Sequence, residues 1–527
     1  MANPLTFAII KVITQKGKRH VGELKRNCAN ARKLNNDLLM QIISDNKDTE
    51  FGKLHDFANI KTVDDYKKNV PFTSYDDYAP YIDRMVNHGE KNLITAYPVI
   101  QYAETSGSVG VPKKIPVSQH AMDIYTKYTI TRVSYLADRW NVEHKGKHLP
   151  IGRGFNQLET IDKKLPDGTP LGSISGSAAK AYKNLFPYYL TSPIPVLFPP
   201  KYAPLAYLKA RYALSDRDTS FMFSVFMPQL VDLMTYIERN WEMLVEDIRT
   251  GTFNKEISID ESMMKDLMKI TKPEPARADE LEKIFKEGFD TPIIPRIWPK
   301  MSYICTIGTG GFAAYTRAMR RYSGDVPIDF SIYGASEGMM AVCTEIEKPE
   351  FALLCDSCFY EFLPADAPEG STDTLTIDQL ETGREYEIII TNLSGFYRYR
   401  IKDVIKVLGF EDESPKITFS YRKSQLLNLV GEKFTESMMD EVVRKTGDEL
   451  GVNIVDYCVY PNTDVTPPRY EVLIEPIEYL DPARCDEYQK ILERYMEDAN
   501  PSYKKHIIEH NLGQSVVYLQ QRQTHAL

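Results

Sequence analysis

Apolar residues recur at helical spacing at Leu34, Leu38, Leu39, Ile42 and Ile43, which predicts an amphipathic helix ending before Thr49-Glu50-Phe51-Gly52. A second helix is predicted from Tyr75-Asp76-Asp77-Tyr78 onward, after Val70-Pro71-Phe72. The strongest stripe, Leu230, Leu233, Ile237, Trp241, Leu244, Val245 and Ile248, predicts a helix stopped by Gly251 as its C-cap. An aromatic in such a stripe belongs to the core, and Trp241 is placed there. Residues 186–208 are apolar enough to invite a membrane reading. Pro187, Pro193, Pro195, Pro199, Pro200 and Pro204 argue against a helix, so an extended, buried connector is expected. Residues 143–180 are rich in Gly, Ser, Lys and Asp, with the turn signal Asp167-Gly168-Thr169-Pro170, and read as surface loop or cover.

From residue 297 the pattern changes to short apolar strands that each run into a glycine-containing turn. Tyr303–Ile307 precedes Gly308-Thr309-Gly310-Gly311, and residues 328–332 precede Tyr333-Gly334-Ala335-Ser336-Glu337-Gly338. Strand ends of this kind are where α/β proteins bind ligands. A hairpin is predicted over 385–392 and 396–407, joined by Leu393-Ser394-Gly395, and it carries Tyr397-Arg398-Tyr399-Arg400-Ile401-Lys402-Asp403. Residues 411–418 look polar and turn-prone, and a domain boundary is expected near residue 420. Beyond it a small α/β unit is predicted: a short hairpin at 426–432, helices at 435–450 and 482–496, and strands at 455–460 and 470–474.

Length and charge narrow the class. A chain of 527 residues with 43% hydrophobic residues suits two to four globular domains. Its 64 basic and 73 acidic residues are spread along the chain with net charge -9, which offers nucleic acid no basic surface. The apolar residues 5–10 are interrupted by Lys11 and lack a preceding basic region, so neither signal peptide nor membrane span is indicated and a cytoplasmic location is expected. Seven cysteines, few and odd in number, suit reduced thiols. Cys355-Asp356-Ser357-Cys358 has zinc spacing but lacks a second ligand pair, and the structural reading is preferred.

The densest candidate chemistry lies at Glu104-Thr105-Ser106-Gly107-Ser108-Val109-Gly110-Val111-Pro112-Lys113-Lys114-Ile115-Pro116. Small residues expose N–H groups that can wrap an anion, the hydroxyls can donate to phosphate oxygens, and Lys113 or Lys114 can reach in as a point charge. It is not a Walker A loop, since G-x-x-x-x-G-K-[ST] has no match here. Joined to the turn at 333–338 and the Arg/Asp residues of the hairpin, it suits ATP used as an AMP donor. The loop and a lysine would hold phosphates, Glu337 would ligate magnesium, and Asp403 would accept from two ribose hydroxyls. Bland alternatives stand beside each: a mobile surface loop at 104–116, a helix cap at Ser336-Glu337, an ion pair of Asp403 with Arg398 or Arg400, and a solvated charge at Lys433.

On these residues the chain resembles the adenylate-forming superfamily and, within it, the auxin-responsive family of acyl-acid amido synthetases. Thr105-Ser106-Gly107-Ser108 through Lys114 is similar to the family's Ser-Ser-Gly-Thr-x-x-x-x-x-Lys motif, residues 333–337 to its second motif, and Tyr399-Arg400-Ile401-Lys402-Asp403 to Tyr-Arg-x-Gly-Asp. Residues 49–52, Trp298-Pro299 and the hinge-like stretch 422–436 support the likeness, which runs in order along nearly the whole chain. The resemblance implies an α/β (α+β) fold. A large N-terminal domain, 1–420, would have β-sheets flanked by helices and a β-barrel-like part, followed by a small mobile C-terminal α/β domain, 421–527. It implies ATP and magnesium as cofactors, a small carboxylic acid and an amino acid as substrates, and a monomer. Lys114, Glu337 and Lys433 are then catalytic candidates. Thr105, Ser106, Gly107, Ser108, Lys113, Gly310, Tyr333, Gly334, Ser336, Asp403 and Arg422 are nucleotide-binding candidates. An acyl-CoA synthetase, or a nucleotide-binding relative without turnover, is the alternative.

Two departures from the pattern matter. Lys402 stands where the third motif has glycine, so a looser turn or an added cation is expected beside Asp403. The family's Gln-x-Lys-x-Pro motif does not occur in residues 520–527, so either a truncated sequence or an impaired first half-reaction is expected.

Overall fold

The computed structural model describes the chain except residues 1–3, 105–112, 147–148, 150–151, 158–162, 182, 200–202, 309–312, 369, 424–426, 428, 430–431, 433, 478–480 and 521–527, and the side chains of 4–7, 9–10, 13, 181, 313–314, 437 and 482. It opens with α1 (Pro4–Cys28), a helix the sequence reading passed over, and α2 (Ala31–Asn46), whose buried Leu38, Leu39, Ile42 and Ile43 are the predicted apolar face. Next come α3 (Tyr75–His88), the antiparallel pair β1 (Val99–Glu104) and β2 (Lys114–Ser118), and the long α4 (Gln119–Glu143).

Strands β3 (Gly154–Asn156), β4 (Phe221–Phe226), β5 (Tyr303–Ile307) and β6 (Ile328–Asp329) form an all-parallel sheet in sequence order. Between β4 and β5 runs α5 (Met227–Thr250), capped by Gly251 at φ +70°, with half-buried Trp241 against Phe285 at 5.5 Å between ring centroids. The expected extended connector is instead broken helix: Phe186–Tyr189 and Ile194–Leu197 are short helices, and Leu205–Ser215 follows. In the first two a proline falls in the first turn, where its missing N–H costs nothing, so proline shortened these helices rather than forbidding them.

The helix α6 (Ala313–Ser323) follows β5. A seven-stranded sheet is built from β7 (Ile332–Ala335), β8 (Gly338–Cys343), β9 (Phe351–Leu353), β10 (Cys358–Pro364), β11 (Glu385–Asn392), β12 (Tyr399–Glu411) and β13 (Ser414–Arg422). Its order is β10-β11-β12-β13-β9-β8-β7. The stretch 411–418, expected as turn, is mostly the start of β13, because only residues 412 and 413 turn the chain.

Contacts divide the chain into two units. The second comprises Gly308–Met319, Lys402–Val404 and Phe419–Leu527. In it α7 (Glu436–Leu450), α8 (Cys485–Ala499) and α9 (Pro501–Ile508) pack with the sheet of β14 (Ile454–Asn462), β15 (Arg469–Pro476) and β16 (Gly513–Leu519). Phe434, Tyr470, Tyr488 and Tyr503 anchor its core. The helix α9 and the strand β16 were not anticipated. Among the described residues no helix is long and apolar enough to cross a membrane.

Candidate active site

Glu104 and Lys114 face each other across the β1–β2 pair. Thr105, Ser106, Gly107 and Ser108 lie outside the described residues, so the structure speaks to the ends of this loop. At its far end the Lys114 amide donates to the Tyr75 phenol oxygen (3.0 Å), and the Lys113 ammonium sits 5.1 Å from the Tyr75 ring centroid, a cation–π contact. Tyr75 is the first residue of α3, where Ser74 and Asp77 form a capping box with the Ser74 amide donating to Asp77 at 2.7 Å. The helix start therefore sets the ring that the Lys113 ammonium rests on and the phenol oxygen that accepts from the Lys114 backbone. Burial, with the negative charges of Asp76 and Glu337 nearby, pushes the Tyr75 phenol above its ordinary pKa.

The predicted glycine turn at 333–338 is a hairpin. Strand β7 carries Tyr333, Gly334 and Ala335, Ser336-Glu337 make a two-residue turn, and β8 begins at Gly338. No helix follows, so the helix-cap alternative falls away. The hairpin is tight because its glycines let it be. A Cβ on Gly338 would lie 2.9 Å from the Cys358 sulfur, and one on Gly334 would lie 3.1 Å from the Gly338 carbonyl oxygen. Tyr333 turns its ring into the core, 6.4 Å from that of Phe351, while Ser336 and Glu337 stay half-exposed. Two neighbours hold Glu337. The Asn392 amide donates to its carbonyl (2.7 Å), and the Tyr399 phenol hydrogen-bonds its side chain. Burial first, then the Glu337 charge, raise the Tyr399 pKa, so that phenol stays protonated and donates. Asn392 is itself fixed by the amides of Ser394 (2.9 Å) and Phe396 (3.0 Å), which donate to its side-chain oxygen.

In the third motif the candidate ion pairs sort themselves. Arg398 is buried on Glu361 (2.9 Å), and Arg400 makes a bidentate pair with Glu387 (2.7 Å twice). Neither is the partner of Asp403. Within the second unit buried Asp403 instead takes Arg422, at 2.5 and 3.2 Å, so two predicted nucleotide residues are brought together. Lys402 carries φ +66°. The left-handed backbone that explains a glycine here is kept, so the expected loosening does not occur and lysine bears the strain instead. Gly310 and Lys433 lie outside the described residues.

Sequence reasoning missed Tyr75 and Asn392. Tyr75 is 39 positions from Lys114, and no periodicity announces that separation. Asn392, just before Leu393-Ser394-Gly395, stood in a hairpin already predicted, and a polar residue closing an apolar strand was its only signal. Among the aromatics near α4, Tyr128 donates to Asp356 (2.5 Å) and Tyr135 packs with it against α1, whereas Tyr125 and Phe223 adjoin Arg132. Cys355 and Cys358 are buried, and burial raises both thiols, Cys358 to about 12, which suits packing.

A parallel sheet with helices, a larger seven-stranded sheet and a small C-terminal α/β unit make up the fold. A solved 2-hydroxyisobutyryl-CoA ligase shares this fold with TM-score 0.51 at 10% identity, over 96% of this chain and 86% of that one. A GH3.15 acyl acid amido synthetase matches with TM-score 0.83 at 22% identity, over 95% of this chain and 89% of that one. Residues 20–328 match the GH3 family N-terminal domain, 351–422 its central domain and 437–526 its C-terminal domain. The chain belongs to the GH3 family. Relatives include a putative indole-3-acetic acid-amido synthetase of Arabidopsis thaliana, 29% identical over 88% of this chain and 83% of the relative. A jasmonoyl–L-amino acid synthetase of Oryza sativa is 27% identical over 86% and 82%.

Proposed function

We propose that this chain is an ATP-dependent acyl-acid amido synthetase, joining a small carboxylic acid to the amine of an amino acid. A carboxylate is a poor acylating group at neutral pH. In the first half-reaction its oxygen forms a bond to the α-phosphorus of ATP, and pyrophosphate leaves. In the second the amine attacks the carbonyl carbon of the acyl-adenylate, loses a proton and expels AMP. Positioning and charge neutralisation carry most of the first step. Lys113 and Lys114, with the hydroxyls and amides of 105–108, would meet the phosphates. Asp403, held by the Arg422 guanidinium, would accept from ribose hydroxyls. Lys433 and the backbone at 310 and 333–336 would complete the nucleotide contacts.

Magnesium, when bound, would offset charge on the polyphosphate. The residues fit it: Glu337 presents a half-exposed carboxylate on a tight turn, the neutral Tyr399 phenol hydrogen-bonds that side chain, and the Asn392 amide holds the backbone carbonyl beneath it. That pre-set carboxylate, beside a tyrosine that meets the Lys113 ammonium and the Lys114 backbone, is the observation that carries the reading. In this proposal residues 1–420 form the adenylating domain and 421–527 a separate C-terminal domain.

Pyrophosphate exchange into ATP with magnesium, over a panel of aryl, indolyl and fatty acids, tests it. Acid-dependent exchange that is lost in Asp403→Ala is expected, followed by amide formation with an amino acid and none with coenzyme A. Exchange leading to a thioester, or none with any acid, would overturn it.

A further inference from the structure

The first helix carries charge unlike the rest of the chain. Within α1 stand Lys11, Lys16, Lys18, Arg19, Lys25 and Arg26 against a single acid, Glu23, in a protein of net charge -9. All six cations are exposed. Lys11, Lys18 and Lys25 recur every seven residues, and Arg19 and Arg26 directly follow the last two, so these five share one face of the helix with Lys16 on its flank. From Lys11 to Arg26 the strip is about 22 Å long, at the helical rise of about 1.5 Å per residue. The even spread of charge along the sequence hides it.

The cations of the strip are unmatched. None of the six forms an ion pair or donates a side-chain hydrogen bond to another described residue. Elsewhere such groups are taken up: Arg84 meets Glu50 (2.8 Å) and Glu90 (2.7 Å), Arg249 meets Asp279 and Glu282, and Arg321 meets Glu238 (2.7 Å). Glu23 itself is engaged by Lys127 (2.7 Å) and His20 (3.5 Å), which leaves the strip without a counter-charge. The opposite face fixes the strip outward. Val21, Leu24 and Cys28 are buried, a Cβ on Gly17 would overlap the Ser134 hydroxyl of α4, and that hydroxyl donates to the Thr14 carbonyl (3.1 Å). A helix seated so closely cannot roll. Val12, among the cations on the outward side, is 64% exposed.

We propose that the outward face of α1 docks on an anionic lipid bilayer, with its cations among the headgroup phosphates and carboxylates and Val12 at the edge of the acyl region. A straight, fixed helix meets a plane along its whole length. Basic helices with an apolar residue beside the charges bind such interfaces, and each Lys or Arg near the surface adds to the attraction. The negative charge elsewhere on the protein does not cancel it, since exposed charges more than about 8 Å apart are screened at physiological salt. Nucleic acid is the poorer fit: the strip has no aromatic ring to stack on a base, and an exposed Val12 gains nothing from a phosphate backbone. Docking needs none of the nucleotide residues named above.

The test is flotation of the full chain with vesicles of phosphatidylcholine alone or with about a third phosphatidylserine, at about 0.1 M and about 0.5 M salt. Binding is expected to the anionic vesicles only and should fall with salt. Lys11→Gln, Lys18→Gln and Lys25→Gln together should weaken it about a hundredfold, at about fivefold for each cation, while arginine at the same three positions should hold it. Both triple variants should melt with the wild type, because none of the three ammonium groups bonds within the fold. Equal binding to both vesicles, binding to neither, or a glutamine variant that binds like the wild type would overturn the proposal. If the glutamine variant melts early, the arginine variant decides, since lost binding with charge retained also overturns it. Capture of an oligonucleotide at the same salt, in place of the anionic vesicles, would reassign the strip to nucleic acid and overturn lipid docking.

Discussion

In the C-terminal unit Glu493 is buried and both of its oxygens are occupied. The Tyr503 hydroxyl donates to one (2.8 Å), and the Ser515 amide (2.9 Å) and hydroxyl (2.6 Å) donate to the other. Glu432 in the same core accepts from the Leu429 amide (2.7 Å) and the Tyr470 hydroxyl. Asn156, the last residue of β3, and Thr191 and Ser192, which follow the Leu190 bridge to Gly154, are also buried, and their side-chain oxygens have no hydrogen-bond partner among the described residues. The first arrangement is closed, since every acceptor has its donor inside the fold. The second leaves donors and acceptors over. Burial alone therefore does not distinguish a polar residue that completes the bonding of the fold from one that does not, whereas the state of its hydrogen bonds does.

Changes that open a closed site should cost most. Glu361→Ala, which strands the buried Arg398 guanidinium, should lower unfolding stability by about 3–5 kcal/mol, read as a fall in the denaturant midpoint. Tyr503→Phe removes one donor from Glu493 and should cost about 1–3 kcal/mol, seen in the thermal transition of the C-terminal unit. Thr191→Val should go the other way, gaining about 1 kcal/mol by deleting a buried hydroxyl with no partner among the described residues. A loss there as large as that of Tyr503→Phe would erase the contrast.

Acidity sharpens the same comparison. Burial raises the Glu493 carboxyl above its ordinary 4.5, so the folded chain keeps a proton that the unfolded chain has already lost. Its contribution to stability is full below the unfolded value and is lost as pH rises through the raised folded one. Melting temperature against pH should thus fall more steeply in this window for the wild type than for Glu493→Gln. Parallel curves would remove Glu493 as the cause. The smallest effect belongs to Lys402→Gly. Relieving a left-handed lysine should add about 0.5–1 kcal/mol, measured by chemical denaturation.

Much of the fold was legible because it is written in periodicity. The faces of α2 and α5, the hairpin β11–β12 and the first helix and strands of the C-terminal unit follow from spacing that any local window contains. Proline misled at 186–208, since the same residue that breaks a helix interior is at home in a helix's first turn. The candidate site was legible only as short motifs. Lys114, Glu337 and Asp403 stood out by residue type, but what holds them did not. Tyr75 reaches Lys114 from another element, Asn392 reaches the Glu337 carbonyl across 55 positions, and Arg422 meets Asp403 across 19. The row Asn156, Phe223, Cys305 and Asp329 across the parallel sheet was invisible for the same reason, as its members come from four strands and become neighbours only by register.

Glu337 owes its place to a ruler. It sits at the tip of a hairpin whose pairing runs Gly338 to Ala335 and Met339 to Gly334, then slips by one between Met339 and Ala341 before Val342 meets Ile332. One extra residue is thus already stored in β8. Exchanging side chains along this hairpin changes what the tip can bind, but adding or deleting a residue changes where the tip is. Descendants of this chain should therefore vary here in spelling and not in length.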